Sequence, residues 1–282
     1  MSALVDLHLH TTASDGTLSP TQLIRLLSER GLRVVAVSDH DSLEGLAEAR
    51  REALNHPHMT LIPGIELGTD TSQGEIHVLG YYLDEDSSEL QETLVRFREG
   101  RELRAQRMVE KLRAMGFLIE WSRVAELAEG AIARPHIAQA MVEKGYVTYS
   151  YQAFDRYIGR NGPAYVERDK LTPEDAVSLI ARHKGFPALA HPADIPDLDD
   201  VLQALVPLGL VGMDVHYGLY TAEQVRRLLA LCERFALIPL GGSDYHALGN
   251  PDDVEPGRVG PPMESAERLM ALAGDSRLAS AT

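Results

Sequence analysis

Short apolar runs and amphipathic helical segments alternate along most of the chain. After a first strand from Leu4 to His10, the sequence predicts a helix that begins at Ser19 and ends at Gly31. Serine followed by Pro20 is a typical N-cap and first helical residue, and glycine is a common C-cap. The apolar run at residues 33–38 then predicts a buried strand. This order of strand, helix and strand is typical of a parallel βαβ unit.

The alternation continues to the C-terminal region with one interruption. Further strands are predicted at residues 60–66, 76–79, 186–190, 211–215 and 236–240. Further helices are predicted at residues 43–54, 172–183, 198–206 and 222–235. Between the strands predicted at residues 76–79 and 186–190, residues 87–158 show only helical patterns. We therefore expect an α/β barrel, residues 1–84 and 164–282, with a helical insertion subdomain, residues 85–163, over its open end. The Ala- and Ser-rich C-terminus is expected to be frayed.

Composition narrows the class of protein. The chain has 282 residues, of which 44% are hydrophobic and 24% charged, and its net charge is −15. This charge argues against binding to long duplex nucleic acid, which relies on Lys and Arg, but it allows a small anionic substrate. The single cysteine, Cys232, excludes an internal disulfide and a multi-cysteine zinc site. No apolar run has membrane-spanning length, so we expect a cytoplasmic protein with no membrane or obligate protein partner.

Polar residues that can bind metals recur at the ends of the predicted strands. The ends of parallel barrel strands share one rim, so residues distant in sequence can converge there. Six imidazoles and three carboxylates are too many for one ion but suit two or three. Mixed nitrogen and oxygen ligands favour manganese, iron or zinc over calcium or magnesium. The candidate ligands are His8, His10, Asp15, His40, Glu66, His77, His191, Asp244 and His246.

Several of these residues lie in motifs that resemble those of the PHP (polymerase and histidinol phosphatase) superfamily. The motifs are Asp6-Leu7-His8-Leu9-His10, Ser38-Asp39-His40-Asp41, Gly64-Ile65-Glu66, His77, Ala190-His191-Pro192 and Ser243-Asp244-Tyr245-His246. The resemblance implies a distorted (β/α)7 TIM-like barrel that hydrolyses phosphoesters with two or three divalent metal ions. Mn²⁺ is expected first, with Fe²⁺ or Zn²⁺ as alternatives. It also implies that the nine residues above are the metal ligands, although some members have His at the position of Asp15.

The insert carries a narrower resemblance. Its segments Ala133-Arg134-Pro135-His136 and Gly162-Pro163-Ala164-Tyr165-Val166 are similar to those of the PHP branch that acts on nucleoside 3',5'-bisphosphates. This implies that Arg134 and His136 hold a substrate phosphate, which suits the planar fork of an arginine. Alternatively, Arg134 is a helix-surface charge and His136 a capping or core residue. His216 and Tyr245, at strand ends, are further candidates for substrate binding that could equally be structural.

These assignments predict a mechanism without a covalent intermediate. We expect a water held between two metal ions to be acidified and to attack phosphorus as hydroxide, while Arg134 stabilises charge on the phosphoryl oxygens. The leaving oxygen could be protonated by His216 or His136, or stabilised by a metal ion. Asp6, Asp39 and Asp41 are expected to orient the ligating imidazoles. Cys232 lies among apolar residues and is expected to be part of the core.

The predicted activity is removal of the 3'-phosphate from nucleoside 3',5'-bisphosphates such as 3'-phosphoadenosine 5'-phosphate. The substrate is thus a small nucleotide, with 5'-to-3' exoribonuclease action on short RNA as a further activity. One alternative is a phosphatase for histidinol phosphate or another small phosphomonoester. Another is a catalytically inactive, metal-stabilised binding or regulatory module, which all nine filled ligand positions disfavour.

Overall fold

Seven strands form one sheet and are hydrogen-bonded in chain order. The structure, a computed structural model, describes residues 3–71, 74–128, 132–167, 171–249 and 253–279. The strands are β1 (Val5–Asp6), β2 (Val34–Val37), β3 (Thr60–Thr71), β4 (Gly74–Tyr81), β5 (Phe186–Leu189), β6 (Gly212–Tyr217) and β7 (Ile238–Gly242).

Helices connect most of these strands. They are α1 (Pro20–Glu29), α2 (Leu46–Ala53), α3 (Ser88–Ala114), α4 (Trp121–Leu127), α5 (Arg134–Glu143), α6 (Ser150–Ala153), α7 (Pro173–Arg182), α8 (Leu198–Leu205), α9 (Ala222–Phe235) and α10 (Met263–Ala279). The predicted start of α1 is confirmed, since the Ser19 side chain accepts a hydrogen bond from the backbone N–H of Gln22. Among the residues described, no helix combines the length and apolar character needed to cross a bilayer.

The sheet curls until its first and last strands meet. The backbone N–H of Leu7 donates to the carbonyl of Gly241 at 3.0 Å, and that of Asp244 donates to the carbonyl of His8 at 2.9 Å. Tyr81 of β4 reaches across the interior, since its hydroxyl donates to the Leu7 carbonyl at 3.0 Å. The sheet thus nearly closes into a barrel, and the predicted α/β barrel is confirmed.

One part of the barrel differs from the expected parallel arrangement. β4 is antiparallel to both β3 and β5. Only two residues separate β3 from β4, which suffices for a hairpin but not for the crossover that a parallel pair needs. β3 therefore continues past Glu66 to Thr71, and His77 lies opposite Gly68 inside the hairpin. The expectation that every candidate ligand lies at a strand end was wrong for Glu66 and His77.

Two apolar clusters divide the long helix α3. Leu90 and Leu94, near its start, pack in the cluster that lies between the sheet and the outer helices. Met108 and Leu112, near its end, pack in a separate cluster with residues of α4 and α5. α3 therefore connects the barrel with the helices that follow it, and the domain boundaries proposed from the sequence stay a prediction.

α10 follows the last predicted strand and was not among the predicted helices. Ala266 and Leu269 of this helix are buried in a third apolar cluster with residues of β1 to β5 and β7, including Leu7 and Leu240. The helix thus covers an apolar part of the barrel. Residues 280–282 lie outside the described part of the chain.

Candidate metal centre

The structure brings together all nine side chains that the sequence analysis proposed as metal ligands. We call them the candidate metal centre. His191 lies with its Nε2 atom 3.3 Å from Oε1 of Glu66. The ligand atoms of the others lie within 4.8 Å of one another in three overlapping groups, which are His8, His10, Glu66 and Asp244; His10, Asp15, His40 and His246; and His40, Glu66 and His77.

Glu66 is the central carboxylate of the candidate metal centre. Its side chain is buried, and its two oxygens lie 2.9–3.3 Å from ring nitrogens of five histidines, which are His8, His10, His40, His77 and His191. Two ligand atoms bound to one ion at 2.0–2.2 Å lie about 2.8–3.6 Å apart at octahedral or tetrahedral angles. The spacing around Glu66 therefore fits a carboxylate that shares metal ions with the surrounding imidazoles.

Several buried polar atoms in this centre have no hydrogen-bond partner among the described residues. They are Nε2 of His8, both ring nitrogens of His10, Nδ1 of His40 and Oδ1 of Asp15. A buried polar atom without a partner costs about 1–3 kcal/mol, and most such atoms in folded proteins are paired. Divalent cations would supply the missing partners, so the residues present fit the metal ions that the resemblance implies.

The carboxylates of the centre stay ionised. Burial by itself raises the pKa of Glu66, but the neighbouring imidazoles, His40 first, outweigh burial and hold this pKa well below its ordinary value. Burial also raises the pKa of Asp244, and His8 in particular reverses the shift so that the pKa lies well below the usual range. The same balance lowers the pKa of Asp15, with His40 as the strongest opposing group. Ionised carboxylates are the form that binds cations.

Asp214 in β6 orients His8 and was missed by the sequence analysis. Its Oδ2 atom lies 2.9 Å from Nδ1 of His8, and both side chains are fully buried. This contact leaves Nε2 of His8 facing Glu66 and Asp244, which is the usual arrangement of a ligating histidine and its supporting carboxylate. The sequence offered one sign of this role, which is that Asp214 is a single carboxylate within an otherwise apolar predicted strand.

Asp6 and Asp39 play a different part from the one expected. Asp6 accepts hydrogen bonds from the backbone N–H and the hydroxyl of Ser243. Asp39 accepts hydrogen bonds from the backbone N–H and hydroxyl of Thr11 and from the hydroxyl of Ser14. In the described part of the chain, neither carboxylate bonds to an imidazole. They fix instead the loops that carry Asp244 and Asp15.

The backbone at this rim adopts an uncommon conformation. His191, Asp244 and Asp41 have positive φ angles of 30°, 53° and 50°. Few residues other than glycine adopt the left-handed region, although His and Asp do so more often than most. At these three positions the chain turns sharply at the end of a strand, so that the side chains of His191 and Asp244 reach the candidate metal centre.

Three arginines of the insert line a cavity against this centre. The cavity has a volume of about 130 Å³ and is bounded by Arg101, Arg104 and Arg134 on one side and by Asp15, His40 and His77 on the other. We call it the arginine cavity. A guanidinium N–H of Arg134 donates to Glu75 at 2.6 Å, and Arg101 donates to Asp41 at 2.5 Å. Arg101 and Arg104 were missed because arginines in a long polar helix resemble surface charges.

His136 is buried at the first turn of α5. Its Nδ1 atom accepts a hydrogen bond from the backbone N–H of Ala133 at 3.0 Å, so the proton of the neutral ring is on Nε2. Burial lowers the pKa of His136, although Asp15 opposes this shift. His136 and Asp15 line a small cavity of about 110 Å³. The ring can therefore donate a hydrogen bond from Nε2.

The side chains of the other two predicted substrate-binding residues make no hydrogen bond to the candidate ligands among the residues described. His216 is half-buried in β6, burial lowers its pKa, and no hydrogen bond or ion pair joins it to the nine described ligands. Tyr245 packs in the apolar cluster that contains Leu9. Neither placement supports a role in binding. The neighbouring Tyr217, by contrast, donates a hydrogen bond from its hydroxyl to Oδ2 of Asp244 at 3.0 Å.

Comparison with known proteins agrees with this geometry. A family model for the PHP domain matches residues 6–184. A 5'-3' exoribonuclease of Haemophilus influenzae is 31% identical over 250 residues, which are 87% of this chain and 91% of that protein. A 3',5'-nucleoside bisphosphate phosphatase of Chromobacterium violaceum is 29% identical over 260 residues, 88% of each chain.

The fold is shared with a solved structure. A metal-dependent phosphoesterase of Bifidobacterium adolescentis superposes with a TM-score of 0.87 at 27% identity, covering 95% of this chain and 96% of that one. The predicted family and the predicted enzyme class, a metal-dependent phosphoester hydrolase, are both confirmed. The chain belongs to the PHP domain family.

Proposed function

We propose that this protein removes the 3'-phosphate from nucleoside 3',5'-bisphosphates, with two or three divalent cations held by the nine ligands. The observation that carries the proposal is the arginine cavity beside the candidate metal centre. Cations on one wall and guanidinium groups on the other suit a small substrate with two phosphates. The exoribonuclease and bisphosphatase names of the two relatives support the same substrate class.

The ligands divide most simply into three sets. Each imidazole is assigned to one ion, and Glu66 is shared because its two oxygens face different histidines. The sets are His8, His10, Glu66 and Asp244; Glu66, His77 and His191; and Asp15, His40 and His246. When bound, the cations lower the pKa of a coordinated water and offset charge on the phosphoryl oxygens. Mn²⁺ is the ion we expect first, with Fe²⁺ or Zn²⁺ as alternatives.

The residues of the insert bind the phosphate that is not cleaved. Arg134 uses one N–H for Glu75, which leaves the other donors of its planar fork for phosphate oxygens. Its guanidinium lies over the ring of Phe154, 5.6 Å from the ring centre, which limits its rotation. His136 can donate from Nε2. This division leaves substrate orientation mainly to the insert and the binding of the metal ions to the barrel.

His136 is better placed than His216 to deliver a proton to the leaving oxygen. His136 shares a cavity with Asp15, a member of the candidate metal centre, whereas His216 makes no bond to any of the nine ligands among the residues described. Since burial lowers the pKa of both rings, each is mainly neutral near pH 7. A neutral ring would stabilise the leaving oxygen by a hydrogen bond, and full proton transfer would require the ring to be protonated first.

Phosphate release by the purified protein tests the proposal. In the presence of added Mn²⁺, we expect turnover of 3'-phosphoadenosine 5'-phosphate, and of short 5'-phosphorylated RNA as the further activity. Histidinol phosphate, the alternative substrate, is assayed beside them. Turnover of histidinol phosphate alone would contradict the substrate assignment. A failure to hydrolyse all three would contradict it as well. The cytoplasmic location stays a prediction from the sequence.

A further inference from the structure

A second and larger cavity opens beside the candidate metal centre. Its volume is about 660 Å³, and its lining includes His77 and His191 of the candidate metal centre together with Tyr217, Leu219 and Tyr220. We call it the tyrosine groove. Glu75 and His77 line both this groove and the arginine cavity, so the two spaces adjoin the same part of the site. A volume of this size is typical of a small-molecule site.

One part of the groove wall is apolar and aromatic, and hydrogen bonds hold its two tyrosine side chains. The ring centres of Tyr217 and Tyr220 lie 4.9 Å apart. The hydroxyl of Tyr217 donates to Asp244, and the hydroxyl of Tyr220 accepts from the backbone N–H of Ala193 at 2.9 Å. Leu219 between them is 55% exposed. A fixed aromatic surface next to an exposed leucine is suited to a flat, apolar ring.

The charge of the groove is opposite to that of the arginine cavity. Carboxylates of Glu75, Asp194, Asp197 and Asp200 line the groove, and no lysine or arginine is among its described lining residues. These carboxylates repel a phosphate that has no cation of its own. They can, however, accept hydrogen bonds from the amino and imino groups of a nucleobase. Charge therefore excludes the second phosphate from the groove and allows an uncharged base.

We infer that the tyrosine groove binds the nucleobase of the substrate by stacking against Tyr220. The inference rests on the proposed function and fixes the orientation of the nucleotide. The base occupies the groove, the phosphate to be cleaved lies at the candidate metal centre, and the other phosphate points to the arginine cavity. Base–aromatic stacking tolerates different bases, so the groove favours nucleotides as a class over sugar phosphates without a base.

Paired substrates test this orientation. KM is measured for a nucleoside 3',5'-bisphosphate and for ribose 3,5-bisphosphate, which lacks only the base. We expect Tyr220→Ala to raise KM for the nucleotide about 10-fold, as is typical of a lost stacking contact. KM for the ribose compound should stay within about 2-fold. Tyr220→Phe, which keeps the ring, should resemble the unmodified protein.

Matched variants separate stacking from general damage. Tyr149 and Tyr151 form another stacked pair, with ring centres 5.7 Å apart, that is not part of the groove lining, so Tyr151→Ala should change neither KM. Leu219→Asp alters an exposed position and keeps the test open if Tyr220→Ala does not fold. We expect it to raise KM more for the nucleotide than for the ribose compound, because it removes an apolar side chain from the surface that contacts the base.

The outcomes distinguish this inference from the proposed function. An equal rise of KM for both substrates in Tyr220→Ala, or equal KM values for the two substrates in the unmodified protein, would overturn the inference and leave the phosphatase activity intact. If neither substrate is hydrolysed, the proposed function fails. Calorimetry with adenosine 5'-monophosphate and ribose 5-phosphate then decides the inference by itself. Tighter binding of the nucleotide that is lost in Tyr220→Ala supports it, and equal binding of the two compounds overturns it.

Discussion

The barrel and the insert contribute to the same site in opposite ways. The barrel supplies buried carboxylates and imidazoles whose positions are fixed by strands and by supporting groups such as Asp214. The insert supplies arginines that lie on helices. Two of them, Arg101 and Arg134, form ion pairs with carboxylates of the barrel. A ligand has to be placed within a few tenths of an ångström, whereas a phosphate-binding arginine tolerates more freedom. Changes in the barrel should therefore reduce turnover, and changes in the insert should weaken substrate binding.

The largest effect is expected at Glu66. Glu66→Gln keeps the shape of the side chain but removes the charge that faces five imidazoles. We expect kcat to fall on the order of 1,000-fold, above the 10- to 100-fold loss that is typical of a supporting partner. Metal content, measured by elemental analysis, should fall with it. Glu52→Gln, on the outer helix α2, is the control and should keep both. Full turnover in Glu66→Gln would show that the barrel residues do not hold the catalytic ions.

A smaller effect is expected at Asp214, which contacts the candidate ligand His8. Asp214→Asn weakens the contact that orients His8, so metal affinity or activity should fall about 10- to 100-fold. The measurement is activity against Mn²⁺ concentration, in which excess metal should restore part of the loss. Asp199→Asn, at an exposed position of α8 outside the groove lining, is the matched control for the loss of one carboxylate. A loss that no Mn²⁺ concentration reduces would point to a role for Asp214 other than supporting a ligand.

Substitution of Arg134 in the insert should change KM rather than kcat. Arg134→Met removes a charge-assisted contact to the second phosphate, so KM for a nucleoside 3',5'-bisphosphate should rise about 10-fold while kcat changes little. KM for a nucleoside 3'-monophosphate, which lacks that phosphate, should stay the same. Arg123→Met removes an arginine of the insert that pairs with Glu143 on the surface, and it should affect neither. A drop in kcat with unchanged KM would contradict the division of roles between barrel and insert.

The smallest effect is expected at Cys232, which is neither a candidate metal ligand of the barrel nor a substrate-binding residue of the insert. It is buried in α9, and burial raises the pKa of its thiol to about 12. Because the thiolate is the reactive form, alkylation of the native protein at pH 8 should be slow and should speed up on unfolding. Cys232→Ala should leave kcat within about 2-fold. Rapid labelling of the native thiol would contradict the burial described here.

The predicted ligands that the structure brings together share a simple signal. His8 and His10 alternate with apolar residues, and His40, His191 and Asp244 lie two or three residues past the ends of apolar strands, so residue type and position were enough to group them. Asp214 and Arg101 gave no such signal. Each is one polar residue in an otherwise ordinary strand or helix, and its partner lies far away in the sequence. Such contacts are determined by packing of the complete chain.

For the fold as well, features that depend on nearby residues were easier to predict than features that depend on distant ones. Helix starts such as Ser19 were predictable because the cap depends on residues three positions apart. The direction of β4 depends on the loop that precedes it, and the strand pattern is the same in either direction. Leu269 of α10 is buried in a cluster with residues that lie more than 180 positions earlier in the chain, such as Leu7. Local rules therefore gave the elements, and the pairing and packing of distant elements were less accessible.

The positive φ angles of His191 and Asp244 also bear on how the protein can change over time. A non-glycine residue held in this region costs on the order of 1 kcal/mol or more, and a glycine there would relieve the strain. The rim is thus a place where selection for heat stability and selection for activity act in opposite directions. A lineage that no longer needed the chemistry could gain stability by replacing these two residues.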